Sequence, residues 1–114
     1  MKKYIIFGIS FFIFVTLLVM SLSVQKPEIE TLNVENIAMQ EEYVVLSVGD
    51  TAVLLASVYP FNANNQTVLW SSSNNGVASV ENGIVTAHNT GNVQITATSA
   101  EGGYRDYCYV DVIW

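Results

Sequence analysis

From Tyr43 to Trp114 turn-forming residues interrupt the chain about every ten positions, which favours short strands over helices. The interruptions are Gly49-Asp50, Pro60, Asn62-Ala63-Asn64-Asn65, Asn74-Asn75-Gly76, Asn82-Gly83, Asn89-Thr90-Gly91 and Gly102-Gly103. Between them apolar residues alternate, and nowhere recur at three and four for more than one turn. Tyr43–Val48, Ala52–Tyr59, Thr67–Ser72, Val77–Val80, Val85–Ala87, Val93–Ser99 and Tyr104–Trp114 therefore read as strands. Asn82-Gly83 is the strongest hairpin signal, because a type I′ turn needs positive φ at both central positions; Gly102-Gly103 marks a second tight hairpin. About seven short strands predict an all-β fold, an antiparallel β-sandwich.

Parity then assigns faces. Leu54 lies with Ala52, Ala56 and Val58, Val68 with Trp70, and Ile95 with Val93 and Ala97. Cys108, Val110 and Val112 share one face of the last strand, and Tyr107, Tyr109 and Asp111 the other. The expected core thus contains Trp70, Val68, Leu54, Ile95 and Val110.

Residues 1–24 are of another kind. Lys2 and Lys3 precede an uncharged run from Tyr4 to Val24, long enough for a helix that crosses a bilayer. The lysines stay in the cytoplasm and the remainder is delivered across the membrane. Bulky Phe11, Phe12, Phe14, Leu17 and Leu18 favour an uncleaved transmembrane anchor; Ser21-Leu22-Ser23 has the small-residue spacing of a signal peptide cleaved near Ser23. Either way the folded part is extracytoplasmic. No Cys follows the apolar run, which excludes a lipoprotein. Residues 25–42 form an acidic tether with Pro27, in which Leu32, Val34, Ile37 and Met39 have the spacing of a first edge strand. The break between Val34 and Ile37 suggests a bulge or a change of partner. The sandwich itself occupies 43–114.

Charge excludes several functions. Past residue 24 only Lys26 and Arg105 stand against all ten acids, so the surface repels phosphate backbones and carries no basic cluster for nucleic acid. One Cys and one His cannot close a structural zinc site or an internal disulfide, and no cofactor is indicated.

The stretch from about Leu32 to Ile113 resembles the bacterial immunoglobulin-like (Ig-like) domain, group 2, of intimin- and invasin-type surface proteins. The resemblance runs through Val48-Gly49-Asp50-Thr51, Tyr59-Pro60, Val68-Leu69-Trp70-Ser71-Ser72-Ser73 and Val77-Ala78-Ser79-Val80. It continues through Asn82-Gly83-Ile84-Val85-Thr86-Ala87 and Gly91-Asn92-Val93-Gln94-Ile95-Thr96-Ala97, with Ile84 at a position that is often polar. It implies an extracellular Ig-like sandwich used for adhesion, as a spacer or for carbohydrate attachment, and it brings no catalytic residues.

Cys108 shares the inward parity and reads as an inert buried thiol. His88 reads as a solvated loop residue, and Ser71-Ser72-Ser73 lack a Gly-x-Ser-x-Gly elbow. Glu41 and Glu42 point to opposite faces and do not converge on one atom. Asp50 and Glu101 are the loop carboxylates a weak Ca²⁺ site would draw on, but no Asp-x-Asp spacing accompanies them. Asn65-Gln66-Thr67 matches an N-glycosylation acceptor. The least ordinary feature is the outward face of the last strand, where Tyr107 and Tyr109, with Tyr104 near the hairpin, stand beside Arg105 and Asp111. Tyrosine offers large contact area for few frozen torsions. The expectation is a non-enzymatic bacterial surface or secreted protein binding a surface glycan or an envelope or host protein. The alternative is a structural spacer or assembly subunit, recruiting its partner through an open strand edge.

Overall fold

The computed structural model describes residues 31–114, whose regular elements are nine strands. The helix, anchor and cleavage site expected within 1–24, and the first part of the tether, lie outside the described residues. Among those described, no helix is long and apolar enough to cross a membrane.

The strands are β1 (Asn36–Met39), β2 (Tyr43–Ser47), β3 (Thr51–Val53), β4 (Ala56–Tyr59), β5 (Val68–Ser72), β6 (Ala78–Glu81), β7 (Ile84–Ala87), β8 (Gly91–Ser99) and β9 (Arg105–Ile113). One layer is a four-stranded sheet in the order β2-β9-β8-β5. The other is formed by β3-β7-β6 and the pair β1-β4, which share the chain segment 51–59.

That segment, expected as one strand, is two. Leu54 donates its N–H to Gly83 O (2.7 Å) beside β7, whereas Leu55 O accepts from Gln40 N (2.9 Å) just beyond β1. The strand changes partner at this dipeptide, but its parity survives: Leu54 and Val58 are buried while Val53 and Leu55 are exposed.

Asn36–Met39 pairs antiparallel with β4, Ile37 opposite Val58, and the chain then crosses to the other layer, where β2 runs parallel to β9. The all-antiparallel expectation fails at this one pair, because parallel neighbours need a long connection and here nearly the whole domain supplies it. Two carboxylates replace ladder bonds around the crossing. Glu101 Oε2 accepts from Val34 N at 2.9 Å and Asp106 Oδ2 from Met39 N at 2.7 Å.

The Asn82-Gly83 turn joins β6 to β7 with φ of 51° and 83°, the two positive values of a type I′ hairpin. The second hairpin is longer than expected. Ser99 N donates to Tyr104 O at 2.8 Å, closing four residues between them. Inside that loop Ser99, nearly inaccessible, is fully used: its Oγ donates to Glu101 O (2.7 Å) and accepts from Tyr104 N (2.9 Å).

The core lies between the layers. Val93, Ile95, Ala97, Cys108, Val110 and Val112 from the larger sheet meet Ile37, Leu54, Val58, Ala78, Val85 and Ala87 from the other layer. Of the five expected core residues, Leu54, Ile95 and Val110 are buried, but Val68 and Trp70 are only half-buried. Both sit on β5, the edge of its sheet, where the facing layer covers the inner surface incompletely.

Cys108 is fully buried, and burial followed by the charge of Glu41 pushes its thiol pKa up. The reactive thiolate is thereby disfavoured. An aromatic disulfide reagent at pH 8 should leave the native protein unmodified and label it at once in urea; rapid native labelling would contradict the burial. Because the folded state holds the proton more tightly, this group's contribution to stability is intact at neutral pH. It declines as pH rises from the unfolded value of about 8.5 through the folded one.

Candidate functional site

The outer face of the four-stranded sheet is built by alternation. On β9 the inward residues fill the core, so Arg105, Tyr107, Tyr109, Asp111 and Ile113 must face solvent. The parallel register sets Tyr43 opposite Tyr109 and Val45 opposite Asp111. On the other side β8 sets Thr96, Gln94 and Asn92 opposite Tyr107, Tyr109 and Asp111. The result is a row of aromatic rings flanked by short amide and hydroxyl side chains.

Tyr43, Tyr107 and Tyr109 are exposed by 58%, 37% and 56%. The Tyr43 hydroxyl reaches across to donate to Asp111 Oδ2 at 3.3 Å. Local desolvation, then the Asp111 charge and this hydrogen bond, raise the Tyr43 pKa, so the phenol stays neutral and remains a donor. Two depressions adjoin the Tyr43–Tyr109 pair. One, of about 400 Å³, is lined by Glu42, Tyr43, Asp106, Tyr107 and Tyr109. The other, of about 260 Å³, is lined by Tyr43, Tyr109, Ser73, Asn92, Gln94 and the strand residues Val93 and Val110.

Tyr107 and Tyr109 line the larger depression together with Tyr43. Alternation marks Tyr43 as an outward residue of its own strand, but only the parallel pairing places it against Tyr109. Tyr104 is not part of the group. It stands at the hairpin end, 40% exposed, with its ring over Gly102, and lines neither depression.

Other candidates resolve into structural contacts. Ser72 Oγ donates to Ala78 O at 2.6 Å, and Ser73 Oγ accepts from Gln94 N at 2.8 Å. Asp50 Oδ2 accepts from Ser47 N at 3.2 Å, while Glu101 holds Val34. These two carboxylates cap different segments, and the described residues contain no group of three metal-ligating side chains. Asn65 Oδ1 accepts from Thr67 N at 3.0 Å, an Asx turn. His88 is exposed but not merely solvated: its Nε2 lies 2.8 Å from Ser79 Oγ. Among the described residues no carboxylate is hydrogen-bonded to His88, so the contact ties β6 to the end of β7 without the orienting acid of a catalytic triad.

The family model described as bacterial Ig-like domain (group 2) matches residues 33–110. An uncharacterized protein of Bacillus cereus is 27% identical over 85 residues, covering 71% of this chain and 64% of that protein. A 3-O-alpha-D-galactosyl-alpha-L-arabinofuranosidase of Bifidobacterium longum subsp. longum is 46% identical over 61 residues, covering 53% of this chain but 5% of the enzyme. The chain therefore spans less than two thirds of either relative. Domains 4 and 5 of the S-layer protein SbsC, in a crystal structure, share the fold with a TM-score of 0.60 and 21% identity, covering 71% of this chain and 53% of that one.

Proposed function

The chain belongs to the bacterial Ig-like domain (group 2) family, and on that premise we propose that it acts outside the cytoplasm as a non-enzymatic binding module for a surface glycan or protein. The observation that carries this reading is the tyrosine row Tyr43–Tyr109–Tyr107, left open on a sheet whose opposite face is the core. Rings held on adjacent strands are pre-ordered, so contact with a flat partner freezes few torsions. The glycosidase relative fits the same reading, because the matched region is a small part of that enzyme.

The test is capture by the full chain, in mild detergent, of purified wall material, a glycan panel or solubilised envelope proteins. Exchanging Tyr43 and Tyr109 for serine should weaken saturable binding by about tenfold or more, as expected when central aromatic anchors are lost. A folded double variant with unchanged binding would exclude this face. The alternative, a spacer or assembly subunit reached through the anchor, is supported by the open edge of β5, where Leu69 is 56% exposed. Strand addition at that edge would recruit one envelope protein, seen as a stoichiometric crosslinked partner that tolerates the tyrosine exchange.

A further inference from the structure

The two depressions beside Tyr43 and Tyr109 differ in chemistry. The larger combines three phenol rings with the carboxylates of Glu42 and Asp106 and, among the described residues, is lined by no cation. Among the described residues the sole Lys or Arg is Arg105, which lines neither depression. Asp106 already accepts from Met39 N and, through Oδ1, from Tyr107 N at 2.9 Å. Neutral donors do not cancel its charge, and Glu42, exposed at the rim, adds a second. Electron-rich ring faces together with carboxylates that no Lys or Arg among the described residues neutralises attract an organic cation. The smaller depression offers Ser73, Asn92 and Gln94, neutral groups suited to hydroxyls and amides.

Resting on the tyrosine face as the binding face, we infer that its ligand is an amino-bearing polysaccharide. One pyranose ring stacks on the Tyr43–Tyr109 pair, and the ammonium of a neighbouring glucosamine-type unit enters the pocket of Glu42, Asp106 and Tyr107. A basic peptide would use the acidic pocket but leave the neutral one without a matched partner. A polyanion is repelled from both. The two pockets meet at the shared tyrosines, so a single linear chain can occupy them together.

The experiment is calorimetric titration of the full chain in a sugar-free polyoxyethylene detergent, with a β-1,4-linked glucosamine hexamer and its fully N-acetylated counterpart. The free-amine hexamer should bind about tenfold tighter, a difference that shrinks as added salt screens the rim. Glu42→Gln should remove most of that preference while leaving the N-acetylated hexamer unaffected; Tyr109→Ala should weaken both. Equal affinity for the two hexamers, or a preference that survives Glu42→Gln, would overturn the amino-sugar assignment but leave the tyrosine face in place. Lysine hexapeptide binding as tightly as the glucosamine hexamer would overturn it in favour of a general cation site. Binding of both hexamers undiminished by Tyr109→Ala would overturn the face itself. No binding of either hexamer would overturn this inference, leaving the binding-module reading to the capture experiment.

Discussion

Gly83→Ala is expected to destabilise the domain by about 2–4 kcal/mol, as strain at positive φ adds to a steric clash. Gly83 has φ +83°, and a Cβ there would lie 2.7 Å from Leu54 O and 3.2 Å from the Trp70 ring. Leu54 O is backbone at the point where the chain changes sheets, and Leu54 N is held by Gly83 O at 2.7 Å. Relief by movement would therefore disturb the junction between β3 and β4. Gly103→Ala is the control: φ is +68°, but the space around it is open, so only the backbone penalty of about 1 kcal/mol remains. Urea unfolding should show a lower midpoint for Gly83→Ala at unchanged slope. Equal midpoints for the two variants would mean that the contacts around Gly83 cost nothing.

Ile95→Ala should cost about 3–5 kcal/mol, the upper range for truncating a fully buried aliphatic residue. Ile95 is inaccessible at the middle of β8, between Cys108 on β9 and Ser72 on β5. Strands on both sides hinder collapse around the missing atoms, so most of the cavity should persist. For a domain of this size each kcal/mol lowers Tm by about 4–8 °C, which makes the loss easy to read by thermal unfolding. Ile113→Ala, on the same sheet but 47% exposed, should change stability by only about 0.5 kcal/mol. Similar losses at both positions would refute the assignment of the inner face.

Both variants probe features that could be read from the chain to different depths. The Asn82-Gly83 turn was legible because positive φ at two successive positions has few residue solutions. The inward parity of Leu54, Ile95, Val110 and Cys108 was legible because a strand buried on one face needs apolar residues at every second position. The steric reason for Gly83 was not, since it depends on Trp70 and Leu54 arriving from elsewhere. The half-burial of Trp70 and Val68 was equally hidden: parity gives the side of a strand, not whether the strand ends at a sheet edge. The candidate site divides in the same way. Tyr107 and Tyr109 announce an outward aromatic face by position alone, whereas Tyr104, of the opposite parity and just before the strand begins, stands at the hairpin end.

Local chemistry in the sequence was thus sufficient for what is short-range: strands, turns, the side each residue faces and the family resemblance carried by those motifs. Tertiary structure decided which strands became neighbours. The parallel β2–β9 pair, the sheet change at Leu54-Leu55 and the Asp106 and Glu101 contacts that replace ladder bonds connect residues far apart in the chain. Alternation of period two is unchanged by the identity or direction of the neighbouring strand. The sequence places Tyr43 at the start of a strand, whereas its outward face beside Tyr109, and with it the pair of unlike pockets, existed only once the chain had closed on itself.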